Sequence, residues 1–356
     1  MAVKATGIKA KKFTPAVSVV MPVLNEANHL AAAVDAILAQ EYSGGLELLL
    51  VLGPSTDSTS AVAAKIAKSD KRVRLIDNPR GLTTVGMNLG VKTAKHTVIV
   101  RIDAHSEPTP GYLQRGVEIL FEQGAALVGG IMDARGKSAF QSAVAFAYKS
   151  RFGIGGGAYH LGGDAGEAES AYLGIFQRKF FEAVGGYDES IVRGEDWDLA
   201  QRIKAAGGKV WFSPELRVIY WPRGRVSKLV RQFYSTGVWR GDLTRRDPAR
   251  ASRRYFVPPV AVVAISFGLV LLALGLTVGV IPATAYLSVV ALVAATAQGL
   301  TLKGRAALVV ALVTMHMSWG WGFLVGYARG ARGTVDRSRV TGKVSNRDAQ
   351  NQRSKK

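Results

Sequence analysis

Three segments in the C-terminal third of the chain are apolar and nearly free of charged residues: 257–281, 283–302 and 306–328. Each is close to the length of roughly 20 residues that a helix needs to cross the hydrocarbon core of a bilayer. No comparable segment precedes residue 257. The sequence therefore predicts a soluble N-terminal part followed by a helical part that is attached to a membrane.

Basic residues are concentrated on both sides of these segments. The chain of 356 residues has 46 Lys and Arg against 26 Asp and Glu, a formal net charge of +20. A charge of this size predicts an anionic partner, either nucleic acid or a lipid surface. The position of the cations favours anionic membrane lipids and argues against nucleic acid. The flanking residues are Arg240, Arg245, Arg246, Arg250, Arg253 and Arg254 on one side and Arg329, Arg332, Arg337, Arg339 and Lys343 on the other.

The charge of the C-terminal tail, 329–356, bears on the topology. This tail has nine basic and two acidic residues, and three crossings would place it opposite the soluble domain, against the positive-inside tendency. A hairpin of the first two segments would return Lys303 and Arg305 to the cytosol, as that tendency prefers. The third segment contains His316 and Trp319 among glycines, which suits a re-entrant or tightly packed helix as well as a span. We predict three spans, hence a multi-pass protein of the cell membrane with a cytoplasmic soluble domain.

Two further features indicate the cellular compartment of the soluble part. Residues 1–14 are basic, but no apolar core follows them, so we expect a basic tail rather than a cleaved signal peptide. The chain has no Cys, which excludes disulfides and thiolate chemistry and fits a reducing cytosol.

The pattern of residues 17–103 alternates between strands and helices. The strand-like runs are apolar on both faces, whereas the runs between them have helical spacing. Such alternation predicts a parallel, doubly wound α/β sheet with a ligand site at its carboxyl edge. We expect strands at 17–20, 46–52, 73–76 and 97–102 and helices at 28–40, 57–69 and 84–94.

The last of these strands ends at a motif that can bind a metal ion. In the stretch VIVRIDAHSEP, 98–108, the buried-type run stops at Asp103, and His105 follows two residues later. A carboxylate and an imidazole in one loop can face the same divalent cation, which would neutralise phosphate groups. An isolated Asp-x-His is also typical of an ordinary turn, so the surrounding motifs decide between the two interpretations.

Several further motifs occur in the order that one protein family shows. SVVMPVLNE at 18–26 and DAH at 103–105 are followed by FGIGGGAYH, YLGIFQRKFFEAVGGYDE, RGEDWDLAQRIKAAGG and RQFYSTGVWR, which begin at residues 152, 172, 193 and 231. In these motifs the chain resembles the inverting family 2 glycosyltransferases of GT-A fold, and among them the membrane-associated succinoglycan-type glucosyltransferases. The resemblance covers roughly residues 15–250.

The resemblance and the apolar segments together predict the domain organisation. Apolar residues recur at helical spacing within 226–240, which predicts an amphipathic helix at the membrane surface; the alternative is a helix that only packs against the catalytic domain. The predicted parts are a basic tail at 1–14, a GT-A catalytic domain at 15–225, an interfacial segment at 226–256, transmembrane helices at 257–328 and a basic, disordered tail at 329–356.

The resemblance implies which residues bind the donor and the metal. Pro22 and Glu26 belong to the opening motif, and Glu26 would accept hydrogen bonds from the ribose or base of a nucleotide; alternatively it is an ordinary acid at a helix N-terminus. Asp103 would contact the donor diphosphate through Mg²⁺ or Mn²⁺, and His105 would complete the metal site. The alternative for His105 is a solvent-exposed turn residue.

The acids of the RGEDWD motif imply the catalytic residues. Glu195 and Asp196 begin a helix that we predict at 195–206, so both lie on its first turn. An inverting transfer needs one carboxylate to take the proton from the acceptor hydroxyl. By resemblance this base is Asp196, with Glu195 beside it. The alternative is a pair of acids that complement the helix dipole.

The RQFYSTGVWR motif implies three more donor-binding residues: Gln232, Trp239 and Arg240. They correspond to the region in which related synthases close over the nucleotide diphosphate with a Q-x-x-R-W motif, although the spacing differs here. A second departure lies at 51–57, VLGPSTD, where the family commonly has an acidic pair before G-S-T-D. The donor is therefore predicted only as a UDP- or GDP-sugar.

These expectations define the predicted function. The chain would be a membrane-anchored inverting glycosyltransferase that transfers a sugar from a nucleotide-sugar donor to a lipid-linked acceptor in the synthesis of cell-surface polysaccharide or glycolipid. One alternative is a polyprenyl-phosphate glycosyltransferase, whose acceptor is the lipid phosphate itself. Another is a non-catalytic membrane scaffold with a decayed transferase domain.

Overall fold

The computed structural model describes residues 14–331 of the chain. The predictions of a basic N-terminal tail and a disordered C-terminal tail fall almost entirely outside these residues. The described part consists of an α/β domain with one nine-stranded sheet, followed by a set of apolar helices.

The first half of the α/β domain alternates strands and helices. Its elements are β1 (Val17–Val23), α1 (Leu30–Leu38), β2 (Leu46–Leu52), α2 (Thr59–Ser69), β3 (Val73–Asp77), α3 (Thr83–Thr93) and β4 (Val98–Arg101). β1 pairs in parallel with both β2 and β4, and β2 pairs in parallel with β3. The predicted parallel, doubly wound arrangement is confirmed for this half.

The second half adds antiparallel strands to the same sheet. Its elements are β5 (Ser106–Pro108), α4 (Tyr112–Glu122), β6 (Leu127–Ala134), α5 (Ala139–Tyr148), α6 (Ala158–Leu161), β7 (Gly166–Glu167), β8 (Tyr172–Gln177), α7 (Arg178–Ala183), α8 (Glu195–Ala205) and β9 (Val210–Tyr220). β8 lies antiparallel between β4 and β6, whereas β9 is parallel to β6. The strand order is β3-β2-β1-β4-β8-β6-β9-β5, and β7 also pairs with β9.

Helices cover both faces of the sheet because its central strands are apolar on both sides. Val19 and Met21 of β1 lie in one buried cluster with residues of α1, α2 and α4. Val20 faces the other way, into a second cluster with residues of α3 and α8. Leu199 and Ile203 attach α8 to this second cluster, so the helix that carries the predicted base is fixed against the sheet.

Two loops meet where β1 and β2 end. Asn25 has a left-handed φ of +55°, and its side-chain oxygen accepts a hydrogen bond from the N–H of Thr56 at 2.8 Å. The backbone N–H of Glu26 donates to the hydroxyl of Thr59 at 2.9 Å. These bonds hold Glu26 at the carboxyl edge of the sheet.

The helices that follow β9 include three of membrane-spanning length. Segments long and apolar enough to cross a membrane are Arg253–Ala273, Thr277–Thr296 and Leu302–Arg329. The first break falls earlier than the predicted residue 282, because Gly275 adopts a left-handed φ of +82° that ends the helix. The elements are α9 (Val226–Arg246), 3₁₀ turns at Pro248–Arg250 and Arg253–Phe256, α10 (Val257–Ala273), a 3₁₀ turn at Thr277–Val280, α11 (Ile281–Thr296) and α12 (Leu302–Arg329).

Glycines bring α9 and α12 into backbone contact. Gly237 and Gly241 of α9 meet the backbone of α12, and Gly322 and Gly326 of α12 meet the backbone of α9, each so closely that a Cβ would overlap the opposing helix. Small residues four positions apart allow this kind of approach. The buried face of α9 is thus covered largely by α12. Three apolar side chains of α9 stay exposed, Val226, Val230 and Tyr234, so its role at a membrane surface remains a prediction.

We expect Gly326→Val to force α9 and α12 apart, because the new Cβ would overlap the carbonyl oxygen of Val238. Overpacking of a close contact costs about 1–3 kcal/mol or more, so the melting temperature of the protein in detergent should fall by several degrees. Ala328→Val, at an exposed position of the same helix, is the matched control and should melt like the wild type. Equal melting temperatures for both variants would contradict the close contact.

Candidate active site

A buried arginine at the end of β4 joins the predicted site residues. Arg101 is 3% exposed. Its guanidinium donates to Asp103 at 3.2 Å and to Glu195 at 3.1 Å, and it forms a closer ion pair with Asp196. It also donates to the hydroxyl of Tyr187 at 3.2 Å, and this hydroxyl donates to Asp196 at 3.0 Å. One cation therefore links the metal motif to both predicted catalytic acids.

The charge balance of this cluster is acidic, with three carboxylates around one guanidinium. Burial by itself would lower the pKa of Arg101, but the charges of Asp196 and Asp103 raise it well above its usual value. The guanidinium therefore remains charged. Because a buried carboxylate without a partner is very costly, the acids depend on Arg101 for their place in the fold.

Asp196 has the environment of a general base. Its side chain keeps 30% exposure, so a second molecule can reach it. Burial raises the pKa of Asp196 to about 7, opposed by Arg101 and assisted by the charges of Glu195 and Asp103. A carboxylate whose pKa lies near neutral pH can both accept and release a proton under ordinary conditions.

The turn before α8 places Glu195 and Asp196 beside Arg101. Gly194 precedes Glu195 and has a φ of +83°, a conformation that favours glycine. A Cβ at Gly194 would also lie 3.1 Å from the side chain of Leu243 in α9. α8 begins at Glu195 and ends at Ala205, within one residue of the predicted helix, so Glu195 and Asp196 lie on its first turn.

The DAH motif forms a turn between β4 and β5. The N–H of Ser106 donates to the carbonyl of Asp103 at 2.9 Å. His105 Nδ1 lies 3.1 Å from Glu26 Oε1, and both side chains are almost fully buried. The structure thus joins the loop after β1 to the loop after β4, and His105 is not a solvent-exposed turn residue.

The two predicted metal ligands make a small donor set. Among residues 14–331, no group of three or more His, Asp or Glu side chains could enclose a metal ion. Mg²⁺ is usually bound by one or two carboxylates together with substrate phosphates and water. Asp103 and His105 therefore fit a cation whose coordination a diphosphate completes, rather than a closed structural metal site.

Gln232 of α9 reaches the DAH turn through two tyrosines. Its side-chain amide donates to the hydroxyls of Tyr148 at 3.2 Å and Tyr220 at 3.3 Å. The ring of Tyr220 packs edge-on against His105, with 5.7 Å between the ring centroids. The structure therefore brings Gln232 near the predicted metal site, although the contact is indirect.

Trp239 and Arg240 lie beside the helix that carries the predicted base. Trp239 is almost fully buried in a small apolar cluster that Trp197 borders. The guanidinium of Arg240 lies 5.0 Å from the ring centroid of Trp197 and 4.5 Å from that of Tyr255, distances typical of cation–π contacts. Because Trp197 directly follows Asp196, α9 is in contact with the start of α8.

The departure from the family pattern at 51–57 also has a structural counterpart. Pro22, one residue from the end of β1, is buried within the sheet and pairs in register with Val51. Leu52, which occupies part of the region where the family has acids, ends β2 and pairs with Asp77 at the end of β3. Asp77 is exposed. A carboxylate therefore lies at this edge of the sheet, but one strand away from the usual position.

Arg101 and Tyr187 are site residues that the sequence motifs do not predict. A signal for Arg101 was present, because it is the only charged residue in the strand run VIVRI at 98–102, and a buried charge needs partners. Tyr187 carries no comparable signal. It meets Arg101 across 86 residues of chain, a contact that only the fold creates.

The sheet, its acidic carboxyl edge and the helix that carries Glu195 and Asp196 packed against it are typical of a glycosyltransferase domain of GT-A type. The sequence profile of Glycosyl transferase family 2 matches residues 18–182. The succinoglycan biosynthesis protein ExoA of Rhizobium meliloti is 32% identical over 314 residues, which cover 86% of this chain and 93% of that protein. The chain belongs to glycosyl transferase family 2.

Two more distant proteins are similar over most of the chain. A Methanococcus voltae enzyme named dolichyl N-acetyl-alpha-D-glucosaminyl phosphate 3-beta-D-2,3-diacetamido-2,3-dideoxy-beta-D-glucuronosyltransferase is 22% identical, covering 65% of this chain and 74% of its own. The solved mannosyltransferase PcManGT of Pyrobaculum calidifontis, in complex with GDP-Man and Mn²⁺, superposes with a TM-score of 0.55 at 19% identity. It covers 90% of this chain and 88% of its own, and this likeness supports the GT-A fold.

We expect Arg101→Gln to destabilise the fold, because Asp103, Glu195 and Asp196 would lose their shared cation. Removal of one partner from a buried ion pair typically costs about 3–5 kcal/mol. Loss of the Arg101 charge would raise the pKa of Asp196 still further above its unfolded value, so the loss of stability should be small in mild acid and should grow as pH rises through neutrality. Thermal unfolding of the variant and the wild type, in mild acid and above neutral pH, measures this pH dependence of the loss of stability.

The matched control for that variant is Arg115→Gln. Arg115 also faces three acids, Glu118, Glu122 and Glu215, but at the surface, where ion pairs contribute little. Its unfolding temperature should stay near that of the wild type at both pH values. If Arg101→Gln were no more destabilising than Arg115→Gln, the buried cluster would not have the importance assigned to it.

Proposed function

We propose that this protein transfers a sugar, with inversion at the anomeric carbon, from a UDP- or GDP-sugar to a lipid-linked acceptor at the cytoplasmic face of the cell membrane. The observation that carries the proposal is Asp196. It is a partly exposed carboxylate with a pKa raised to about 7, held beside the DAH motif by Arg101. The product would be a precursor of cell-surface polysaccharide or glycolipid.

In the proposed reaction, Asp196 accepts the proton of the acceptor hydroxyl while that oxygen attacks the anomeric carbon from the face opposite the nucleotide. Arg101 and Tyr187 hold the carboxylate in place through the contacts at its Oδ1. Glu195 shares the same guanidinium, so its charge contributes to the basicity of Asp196. Proton transfer to a positioned base contributes about 10²–10⁴-fold to a rate.

The donor diphosphate would lie at the DAH turn, with Mg²⁺ or Mn²⁺ held by Asp103 and His105. A divalent cation there supplies charge neutralisation for the leaving nucleoside diphosphate. Glu26, beside His105, would orient the imidazole or contact the ribose. Gln232, Trp239 and Arg240 would close over the donor from the side of α9, and Pro22 would shape the end of β1.

Attachment to the membrane suits a lipid-linked acceptor. α9 contacts the start of α8 through Arg240 and Trp197, and the chain continues from α9 through two 3₁₀ turns into helices of membrane-spanning length. An acceptor in the lipid layer would therefore reach the catalytic domain from that side. The names of the relatives, a succinoglycan biosynthesis protein and a transferase acting on a dolichyl-linked sugar, support an acceptor of this class. Anionic lipids would bind the flanking arginines.

The proposal is tested with the full-length protein in vesicles of native lipid, incubated with radiolabelled UDP- and GDP-sugars and then extracted into organic solvent. Transfer of label to the lipid phase is expected with one donor. A product containing at least two sugars supports the lipid-linked sugar acceptor, whereas a single sugar on lipid phosphate supports a polyprenyl-phosphate glycosyltransferase. No transfer with any donor would favour a non-catalytic scaffold.

We expect Asp196→Asn to lower transfer by roughly 10²–10⁴-fold, because the amide cannot accept the acceptor proton. Asp198→Asn is the matched control, since Asp198 lies on the same helix but binds Arg202 at 2.7 Å; it should keep most of its activity. Initial rates at saturating donor, with donor affinity measured separately, make the comparison. Near wild-type turnover of Asp196→Asn would remove this residue from the mechanism.

The pH dependence should follow the same carboxylate. Only ionised Asp196 accepts a proton, and its pKa is about 7, so kcat/KM should rise with pH and reach a plateau above neutrality. Rates measured over about two pH units on either side of 7 define this profile, which reports the free enzyme. A profile that is flat across neutrality would argue against Asp196 as the base.

We expect EDTA to abolish transfer and Mn²⁺ or Mg²⁺ to restore it, because the cation neutralises the leaving diphosphate. Asp103→Ala should also weaken binding of the nucleotide sugar in the presence of the metal, which equilibrium dialysis measures without turnover. Full activity in the absence of divalent ions would exclude the metal assignment of Asp103 and His105.

A further inference from the structure

We propose that α12 does not cross the bilayer but lies along the catalytic domain at the membrane surface, so that the chain leaves α12 on the same side as the catalytic domain. The proposal rests on the membrane attachment proposed above. It adds a statement of which side of the membrane the C-terminal tail begins on. Its basis is the set of contacts that α12 makes at its start, in its middle and at its end.

The start of α12 lies against the catalytic domain. Thr301 and Gly304 line a cavity of about 300 Å³ together with Lys137 and Ser138, which precede α5. One turn further on, Leu308 and the residues that follow it share a buried cluster with side chains of α5. The N-terminal end of the helix is therefore at the level of the sheet domain.

The middle of α12 also touches the catalytic domain. His316 Nε2 lies 2.7 Å from the carbonyl oxygen of Phe152, in the glycine-rich loop after α5, and its Nδ1 lies 3.0 Å from the hydroxyl of Tyr286 in α11. His316 thus bridges the catalytic domain and the apolar helix on the other side. An imidazole that binds a loop of the soluble domain is not at the centre of a bilayer.

The end of α12 returns to the same domain near the base-bearing helix. Gly326 contacts the backbone of Val238 in α9. Ala331 is fully buried in the cluster that contains Ile191 and Trp239. The C-terminal end of the helix therefore lies next to the residues that lead into α8.

Length shows why these contacts are incompatible with a crossing. A helix of 28 residues is about 42 Å long at 1.5 Å per residue, and the hydrocarbon core of a bilayer is about 30 Å thick. A crossing would place the two ends of α12 on opposite sides of that core. Both ends instead contact one soluble domain, so the helix must run across the face of that domain.

The hairpin of α10 and α11 is then the element that enters the bilayer. No charged residue occurs from Val257 to Leu302, and most large side chains of this hairpin are exposed, including Leu274 at its turn with 70% exposure. Such a surface is stable in lipid and costly in water. α12 lies between this hairpin and the catalytic domain, which explains why a larger share of it is buried than of α10 or α11.

The charges agree with this placement. A cavity of about 390 Å³ at the ends of α9 and α12 is lined by Arg245, Arg246 and Arg329 around the buried Asp242, a suitable surface for anionic headgroups of the cytoplasmic leaflet. The tail that follows α12 carries most of the remaining C-terminal basic residues. A hairpin that leaves the bilayer on its side of origin keeps all these cations in the cytoplasm, as the positive-inside tendency prefers.

The absence of cysteine in the chain allows a direct test by single-cysteine labelling. Ser69→Cys places a thiol at an exposed position of the catalytic domain, and Ser338→Cys places one in the tail beyond α12. Each variant is produced in bacterial cells, checked for activity, and treated with a membrane-impermeant maleimide in sealed spheroplasts and again after detergent permeabilisation. An outward-facing cysteine on an unrelated membrane protein confirms that the reagent is active.

We expect both thiols to be protected in sealed spheroplasts and both to be labelled after permeabilisation. Labelling of Ser338→Cys in sealed spheroplasts, with Ser69→Cys still protected, would mean an odd number of crossings and would overturn the placement of α12 alone. Recovery of both variants in the soluble fraction would instead overturn the membrane attachment on which this proposal and the proposed function rest.

Discussion

The shared ion pairing of Arg101 is the interaction on which the site depends. Three carboxylates from two distant parts of the chain meet one buried guanidinium: Asp103, two residues after β4, and Glu195 and Asp196 on α8. Without that cation, burial would force these acids to protonate or to leave the interior. Because Arg101 lies in the sheet itself, the rigid element that ends at the metal motif also fixes the position of the predicted base.

The C-terminal helices are connected to this cluster by close packing rather than by a linker. α9 touches the start of α8 through Arg240 and Trp197, and glycines press α9 onto α12. On the other side, Gln232, Tyr220 and His105 form a continuous set of contacts from α9 to the DAH turn. A lipid-linked acceptor bound near these helices would therefore face both halves of the site. A shift of α9 would therefore displace the predicted base and the predicted metal ligands together.

Much of the fold could be predicted from the sequence because its signals are local. Alternating apolar strands and periodic helices gave the parallel half of the sheet, and the order of motifs gave the family. The antiparallel strand β8 and the ion pairs of Arg101 could not be predicted, since they depend on contacts across many residues of chain. The placement of α12 is similar: its composition is that of a span, and only its contacts at both ends distinguish a helix across a domain face from one through a bilayer.

The most direct test of the account is a double-mutant cycle of Arg101→Gln and Asp196→Asn, read as the rate of sugar transfer at saturating donor. If Arg101 acts on transfer partly through Asp196, the loss in the double variant should be clearly smaller than the product of the two single losses, and any loss beyond that of Asp196→Asn alone reports the contacts of Arg101 with Asp103 and Glu195. If the losses of the two single variants multiply in the double variant, the residues act independently. That result would contradict the claim that one buried arginine organises the base and the metal motif.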